Sequence, residues 1–322
     1  MKHLPFFRFH AAAALVFALA AVFCAAPQTA AATLAASDLF KGKCAETLTA
    51  LTKDAPGGAK FLLDGSLMAE KHLRAGRADA ALLFLTDKEK IAEIRTGDWE
   101  ARPAAFQAVV IIVNTLNPVE SVDLPSLASI YGASQTAVRH WRNDWKLPVS
   151  GTLLDMTIYP LSTRHSLGLV TPLFRSRVLR NADFRDSVAF RASDAETMDF
   201  VRDTSNAIGL LAVPPPPAAL ARNASGALKT IAVVSPFNGA AYLPTSENLN
   251  NGDYPLAVTL YFVYPKTKAA RVAPLLRAVY SDALAAAMPS AGFVPVPADQ
   301  RKDISRQLAP LPQQPPPAPP AK

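Results

Sequence analysis

The stretch from Asn250 to Pro265 reads NNGDYPLAVTLYFVYP and says more about the fold than any other part of the sequence. Its triplet Asn251-Gly252-Asp253 is a turn signal. After the step Tyr254-Pro255, residues 258 to 264 alternate in a run rich in β-forming side chains, which is the period of a strand. The segment therefore predicts a turn followed by a strand.

The N-terminus has the layout of a secretory signal peptide, which we place at residues 1–32. Lys2 and Arg8 precede an apolar run from Ala11 to Ala26, and small residues follow through Ala32. This run is short compared with the roughly 20 residues that span a bilayer, which favours cleavage near Ala32. An uncleaved membrane anchor is the alternative.

Charge and cysteine content exclude some classes of protein. The 322-residue chain has a formal net charge of +7, which falls to +5 if Lys2 and Arg8 leave with the signal peptide. No basic run with interleaved aromatic residues occurs, so the sequence predicts no nucleic-acid partner. Cys44 would then be the only cysteine, and a lone cysteine forms no internal disulfide. The mature domain must be held together by packing.

The sequence carries no signature of an enzyme. After the signal peptide the histidines are His72, His140 and His165, and their spacing matches no zinc motif. No nucleophile elbow, Walker loop or dinucleotide fingerprint occurs. We therefore predict a protein that is not an enzyme and that holds no metal and no cofactor.

The C-terminal segment has a different composition from the rest of the chain. After Leu308 it reads APLPQQPPPAPPAK, which has few apolar side chains to bury and favours extended polyproline II. We predict a disordered proline-rich tail at residues 304–322. A spacer, or a ligand for an aromatic groove, is the function that such a tail can have.

Between these ends, strands and helices alternate, which indicates an α/β fold with short crossovers. The apolar runs from Asp79 to Leu85 and from Ala108 to Val113 suit strands that are covered on both faces. Gly65-Ser66 predicts a turn and a helix cap, and Gly76 closes that helix. Further strands are predicted at 61–63, 156–160, 207–213, 228–234 and 255–264, and further helices at 125–131, 172–179, 195–202 and 269–288.

Six motifs, in this order along roughly residues 60 to 300, resemble those of the phosphate-binding periplasmic proteins of ABC transporters. Gly65-Ser66 followed by 76–79 is similar to the family's glycine-serine turn and the start of its next strand, and 109–119 resembles its VxVN…NPV crossover strand. Residues 130–141 resemble the IFxG…W helix. Residues 207–209, 254–264 and 292–296 are similar to the AIGY, YPL…LYxxV and GYVPL motifs.

The resemblance implies a two-lobed type II periplasmic-binding-protein-like α/β fold with mixed sheets and crossover hinge strands. Lobe 1 would comprise residues 33–112 plus 230–303, and lobe 2 residues 113–229. A ligand would lie between the lobes at strand ends and helix N-termini, where unpaired N–H groups favour an anion. The resemblance also implies a periplasmic monomer that takes a small phosphate-like anion and has ABC transporter membrane subunits as partners.

By the same resemblance, the ligand-binding residues are Ser66, Thr86, Asp87, Arg164, Ser166 and Gly168. Arg164 keeps the family's spacing to Phe174, but the family's serine-glycine-threonine triplet is replaced by 168–170, which reads Gly-Leu-Val. Ser166 lies out of register with it. Thr86 and Asp87 come two to three places later than the family's polar residue.

Two interpretations of the cleft follow. In the first, a local realignment returns Thr86, Asp87, Ser166 and Thr171 to the site, and the protein captures phosphate or another oxyanion for a transporter. In the second, apolar residues at 83–84 and 169–170 occupy the site and leave oxyanion oxygens unpaired. The fold is then a ligand-altered or ligand-dead adaptor for envelope proteins. Ser66 as a plain N-cap and Arg164 as a surface residue are the structural alternatives.

Overall fold

The computed structural model describes residues 30–55, 57–85, 92, 94, 97–133, 157–163, 170–216, 220 and 227–307. The predicted signal peptide up to residue 29 and the proline-rich segment after Gln307 lie outside them. Among the described residues, no helix is long and apolar enough to cross a membrane. Helix Ala298–Gln307 includes residues 304 to 307, which the sequence assigned to the tail, because the Ile304 side chain is buried against the domain.

Strands and helices alternate along the described chain, as the sequence pattern indicates. The strands are β1 Ala32–Ala36, β2 Ala59–Leu63, β3 Ala80–Phe84, β4 Trp99–Ala108, β5 Val110–Asn114, β6 Ser121–Val122, β7 Tyr159–Thr163, β8 Ala189–Arg191, β9 Ala207–Leu211, β10 Leu228–Thr230, β11 Ala232–Val234, β12 Ala241–Tyr242, β13 Ala257–Pro265 and β14 Val294–Pro295. The helices are α1 Lys43–Thr52, α2 Ser66–Arg74, α3 Leu124–Tyr131, α4 Val170–Arg177, α5 Asp194–Asp203, α6 Ser246–Asn251, α7 Ala269–Val279, α8 Asp282–Ala287 and α9 Ala298–Gln307.

The first sheet has six strands in the order β14-β4-β13-β3-β1-β2. Strands β1, β2 and β3 are parallel, whereas β13 runs antiparallel to β3 and β4. On one face, Leu34 and Leu82 belong to the cluster that contains Leu48 of α1. On the other, Ala35 packs in the cluster that contains Leu73 of α2. Coverage on both faces explains why these strands have no polar face.

The second sheet has five strands in the order β10-β5-β9-β7-β8, and a small third sheet has the order β12-β11-β6. Strands β7, β8 and β9 are parallel, and β5 runs antiparallel to β9 and β10. Gly209 of β9 has a steric role. A Cβ atom there would lie 3.0 Å from side-chain carbons of Thr197 and Val201 on α5, so glycine allows the helix to approach the sheet.

The segment Asn250–Pro265 forms the predicted turn and strand. Gly252 ends α6 in the left-handed conformation, with φ of 77°, which glycine adopts without strain. Strand β13 follows in the middle of the first sheet, between β3 and β4. Its alternating residues Leu260 and Phe262 are fully buried. The alternation in the sequence therefore identifies a buried face of a central strand.

The chain crosses from the first sheet to the second through Val109, which separates β4 from β5. The Val109 N–H donates to the Leu256 carbonyl at 2.8 Å, and the Val109 carbonyl accepts from the Tyr254 hydroxyl at 2.7 Å. Tyr254 is buried, and burial raises the pKa of its phenol far above the usual value. Residues 254 and 256, on the returning part of the chain, thus provide the hydrogen-bond partners of both the N–H and the carbonyl of Val109.

Three predicted elements are divided in the structure. The strand predicted over 228–234 is β10 and β11, which belong to different sheets on either side of Ile231. The single helix predicted over 269–288 is divided into α7 and α8, because the Ser281 hydroxyl accepts the Leu284 N–H and starts a new helix. The predicted strand over 108–113 is two strands, and most of β4 was not foreseen. Pro103 interrupts its pattern, and it lies opposite a register shift between Leu260 and Tyr261, where a residue without an N–H is tolerated.

Asp79 fastens the first strand to the segment around α7. Its carboxylate accepts the Thr33 N–H at 3.0 Å and pairs with Lys268 at 2.9 Å and Arg271 at 3.0 Å. Burial alone would raise the pKa of this carboxyl. The hydrogen bonds from Lys268 and Thr33, with the positive charges of Lys268 and Arg271, nevertheless hold the pKa below its usual value. The ionised carboxylate of Asp79 therefore stabilises the folded state.

We expect Tyr254→Phe to lower the free energy of unfolding by about 1 to 3 kcal/mol, because the buried Val109 carbonyl loses its side-chain partner. Urea unfolding followed by circular dichroism measures the change. Tyr159→Phe is the matched control, since Tyr159 is 42% exposed, and a surface substitution should change stability by no more than about 0.5 kcal/mol. Equal stability of the Tyr254→Phe variant and the wild type would contradict the role of this hydroxyl.

We expect Asp79→Asn to destabilise the protein by about 1 to 3 kcal/mol at neutral pH, the range for hydrogen bonds to charged groups. Because the folded pKa lies below the unfolded value, this contribution is complete above the unfolded pKa of about 4 and is lost as the pH falls through the folded pKa. The gap between wild type and variant should therefore close in acid. Asp54→Asn, an exposed carboxyl, is the control, and a gap that persists unchanged at the lowest pH would refute the account.

Candidate functional site

The carboxyl ends of β1 and β2 meet at one edge of the first sheet. The two strands pair in parallel with Ala36 opposite Leu63, so the loops that begin at Ser37 and Asp64 leave the sheet side by side. Each loop leads into a helix, α1 or α2. Open α/β sheets bind ligands at such an edge. This edge is therefore the first half of the candidate site.

Both of these helices begin at a glycine. Gly42 precedes α1 with φ of 71°, Gly65 precedes α2 with φ of 110°, and neither helix has a side-chain cap. Four other described helices begin differently, since a side-chain oxygen accepts a first-turn N–H in each. Those caps are Asp123, Ser193, Thr245 and Ser281. Only at the sheet edge does this part of the chain show two neighbouring helix starts without side-chain caps.

Ser66 is the first residue of α2 and not its N-cap, so the cap prediction is wrong by one residue. The first hydrogen bond of the helix runs from the Ala69 N–H to the Gly65 carbonyl. The N–H groups of residues 66 to 68 find no partner within the described chain. Ser66 thus contributes an open backbone donor and a hydroxyl at a helix N-terminus, where the helix dipole favours an anion.

The turn before Ser66 is fixed by two side-chain hydrogen bonds in a row. The Arg77 Nε–H donates to His72 Nδ1 at 3.0 Å, which leaves His72 Nε2 to donate to an Asp64 carboxylate oxygen at 2.8 Å. Asp64 lies directly before Gly65 in the chain. These hydrogen bonds therefore tie the turn to its own helix, and they identify a role for His72 that the motif search did not find.

The matching edge of the second sheet is organised by Asp194, the first residue of α5. One of its oxygens accepts the Thr163 hydroxyl at 2.7 Å, and the other accepts the Ala212 N–H at 3.0 Å. Thr163 ends β7 and Ala212 follows β9, so the carboxylate joins two neighbouring strand ends. Asp194 also lies in the first turn of α5, where a carboxylate interacts favourably with the helix dipole. Its use as a clamp depends on residues distant in sequence.

Of the predicted ligand residues, Ser66 is described, whereas Thr86, Asp87, Arg164, Ser166 and Gly168 lie outside the described residues. Their neighbours fix where their segments attach to the sheets. Strand β3 ends at Phe84 and the next residue, Leu85, is buried; β7 ends at Thr163, the residue before Arg164. The predicted residues therefore follow the carboxyl ends of parallel strands in both sheets.

Apolar cleft surface was expected from four residues; two of them are buried in the core and a third, Phe84, is half-buried against it. Leu83 packs in the cluster beneath α2. The Phe84 ring stacks on Phe293 at a centroid distance of 6.2 Å, and Val170 is buried in the main core. The expectation is wrong for Leu83 and Val170, because β3 continues past Leu83 and α4 begins at Val170. The fourth, Leu169, lies outside the described residues.

A family model described as the PBP superfamily domain matches residues 25–281. The chain belongs to the PBP superfamily. Protein SphX of Synechococcus elongatus is 27% identical to it over 199 residues, which are 61% of this chain and 56% of SphX. The match thus spans little more than half of that relative's length.

Solved structures share the fold. A possible phosphate binding protein from Planctomyces limnophilus is 18% identical, with a TM-score of 0.63 over 87% of this chain and 97% of its own. PstS from Borrelia burgdorferi is 17% identical, with a TM-score of 0.63 over 83% of this chain and 99% of its own. The predicted two-lobed, mixed-sheet PBP-like fold is confirmed. The lobe limits at 112/113 and 229/230 stay predictions, and the sheets change at Val109 and Ile231.

Metal and thiol chemistry find no support in the described part of this PBP-superfamily chain. No group of three or more His, Cys, Asp or Glu side chains there could hold a metal ion. Cys44 is buried in α1, and burial raises the pKa of its thiol to about 11, so it is protonated at neutral pH. A thiol in this state is a packing group and not a nucleophile.

We expect Ser66→Ala to change the free energy of unfolding by less than about 0.5 kcal/mol in the absence of ligand, since no cap is lost. Gly65→Ala should cost about 1 to 3 kcal/mol, because φ of 110° is strained for any residue with a Cβ although no atom lies within 4 Å of that position. Urea unfolding of both variants is the measurement. A loss of about 1 kcal/mol or more for Ser66→Ala would instead identify a side-chain cap.

Proposed function

We propose that the protein is an extracytoplasmic solute-binding protein that captures phosphate or a related oxyanion between its two lobes for an ABC transporter. It acts in the periplasm, as a monomer, and as a receptor that is not an enzyme. Membership of the PBP superfamily supports the receptor class. The proposal concerns the ligand, the site and the partner.

One observation carries the anion: the paired starts of α1 and α2. Adjacent parallel strands direct both helix N-termini to the same sheet edge, and neither has a side-chain oxygen over its open N–H groups. An oxyanion is the ligand that such donors bind best, because each oxygen can accept several hydrogen bonds while the two helix dipoles stabilise its charge. A neutral sugar or an apolar solute would leave these dipoles unused.

The relatives support the same ligand class. The structural neighbour from Planctomyces limnophilus is called a possible phosphate binding protein, and one from Vibrio cholerae an ABC-type phosphate transport receptor. The Vibrio protein is 18% identical, with a TM-score of 0.53 over 82% of this chain and 99% of its own. Identities this low share a fold, so the ligand of this chain needs its own test.

We assign ligand contacts from both lobes. In lobe 1, Ser66 provides its N–H and hydroxyl, Thr86 a second hydroxyl, and Asp87 an acceptor for a protonated phosphate oxygen. In lobe 2, Arg164 provides a charged bidentate donor, with Ser166 and the Gly168 N–H beside it. Support comes from chain position, since these residues follow the ends of β2, β3 and β7.

The ligand-dead alternative loses part of its argument. It rested on apolar side chains in the cleft, and Leu83 and Val170 are instead buried in the core, while the half-buried Phe84 packs against Phe293. The realignment that moves the lobe 1 contacts to Thr86 and Asp87 is favoured by the strand end at Phe84. Closure would bend the crossover at Val109, the short link that joins the two sheets on the outgoing side.

Isothermal titration of the mature protein with phosphate and with sulfate tests the proposal. We expect binding of one phosphate per chain. Arg164→Ala should weaken it by about 10- to 100-fold, because a hydrogen bond to a charged group contributes about 1.5 to 3 kcal/mol. Ser66→Ala should weaken it by a smaller factor.

Arg177→Ala is the matched control, because Arg177 is an exposed arginine at the far end of α4. It should bind phosphate as the wild type does. Absence of binding heat with either anion, or an Arg164→Ala variant with unchanged affinity, would refute the proposed site. Binding of sulfate in place of phosphate would retain the anion site and change the transported solute.

A further inference from the structure

A second basic site lies on the first lobe, between the end of α7, the start of α8 and one face of α9. It is an open depression with about 940 Å³ of empty volume. Its charged lining residues are Arg277, Asp282, Arg301, Lys302 and Arg306. Four of the eight lining residues are cationic and one is anionic.

Helix α9 sorts its charges between two faces. Arg301, Lys302 and Arg306 border the basic depression together with Ser305. Residues 300, 303, 304 and 307, which are Gln, Asp, Ile and Gln, border a separate depression beside Glu100. Lys302 and Arg306 are four positions apart and share a face of the helix, and Arg301 borders the same depression. Ile304 alone is buried, and the helix therefore presents its basic face to solvent.

Arg301 is a fixed cation at this site. Its side chain is 13% exposed, one Nη–H donates to the Val296 carbonyl at 2.6 Å, and the other Nη donates to an Asp282 carboxylate oxygen at 2.7 Å. Its Nε is buried and has no hydrogen-bond partner among the described residues. A guanidinium has five N–H donors, so Arg301 retains donors for a further acceptor.

Two carboxylates, Asp282 in the lining and Asp303 on α9, offset the positive charge only in part. The hydrogen bond from Arg301, the charge of Arg301 and that of Lys302 lower the pKa of exposed Asp282. Arg306 pairs with Asp303 at 2.9 Å, but that arginine is 76% exposed and the pair is weak in water. Lys302 has no ion pair in the described part of the chain. Positive charge therefore remains for a ligand.

We propose that this depression binds a phosphoryl group that carries two or more negative charges, from a soluble oligophosphate or from a phospholipid headgroup. Planar guanidinium groups bind phosphoryl oxygens in pairs, and a lysine adds a mobile point charge. The Ser305 hydroxyl provides a neutral donor at the same face. A ligand that offers only one carboxylate would not contact cations of both α7 and α9.

The site is separate from the candidate cleft. It belongs to the helices outside the first sheet, whereas the cleft residues follow strand ends. The PBP superfamily match stops at residue 281, so α8 and α9 lie beyond it. Binding at the basic face of α9 can therefore be measured in a variant whose proposed cleft is disabled.

The test uses the mature protein carrying Arg164→Ala, so that the proposed cleft site does not contribute. Tripolyphosphate is titrated by calorimetry, and sedimentation is measured with vesicles of phosphatidylcholine with or without phosphatidic acid, whose phosphomonoester headgroup can carry two negative charges. We expect binding to one of the two phosphoryl probes. The added substitutions Lys302→Gln and Arg306→Gln should weaken it on the order of tenfold or more at low ionic strength, given about fivefold per cation.

Lys60→Gln with Arg177→Gln is the control pair, since it also removes one lysine and one arginine, both exposed. It should bind as the parent does. Tripolyphosphate binding alone identifies a soluble ligand, and binding to the anionic vesicles identifies a headgroup. Binding to neither probe, equal weakening in both pairs, or binding only to an acidic peptide would overturn the proposal. Circular dichroism verifies that each variant is folded.

Discussion

The fold depends on how the backbone groups of Val109 are satisfied. This residue separates strands of two different sheets, so its N–H and carbonyl are not paired in either ladder and need other partners. The Leu256 carbonyl and the Tyr254 hydroxyl supply them from the returning part of the chain. Both connections between the sheets are therefore fixed together, and β13 leaves this point directly into the centre of the first sheet.

Local patterns predicted the elements that are determined locally. The turn at Gly252 and the alternation in β13 follow from φ preference and from burial on one face, and both are confirmed. The helix break at Ser281 was missed, because apolar residues continue through Tyr280 at helical spacing while one hydroxyl starts a new helix. Strand β4 was missed because Pro103 hides its period, and its pairing partners are distant in sequence.

The site was predicted less well than the fold, for a geometric reason. Motif spacing placed a cap at Ser66 and apolar cleft surface at Leu83 and Phe84. Backbone conformation decides otherwise, because Gly65 takes φ of 110° and becomes the N-cap, and β3 continues through Phe84. A shift of one or two residues at the end of a strand decides whether a side chain is buried in the core or faces the cleft. Amino-acid composition does not reveal such a shift. The Asp194 clamp was unforeseen, since its partners come from β7 and the end of β9.

The contrast among the helix starts indicates where the fold gives up stability for a site. A side-chain N-cap contributes about 1 kcal/mol, and four described helices have one. The two helices at the carboxyl ends of β1 and β2 do without it, because Gly42 and Gly65 occupy their N-cap positions. A serine cap there would fill the donors that an anion needs. Because the glycines hold those donors open before any ligand arrives, little further ordering is required at the moment of binding. We infer that the same glycines that lower the stability of the free protein prepare this edge for an oxyanion.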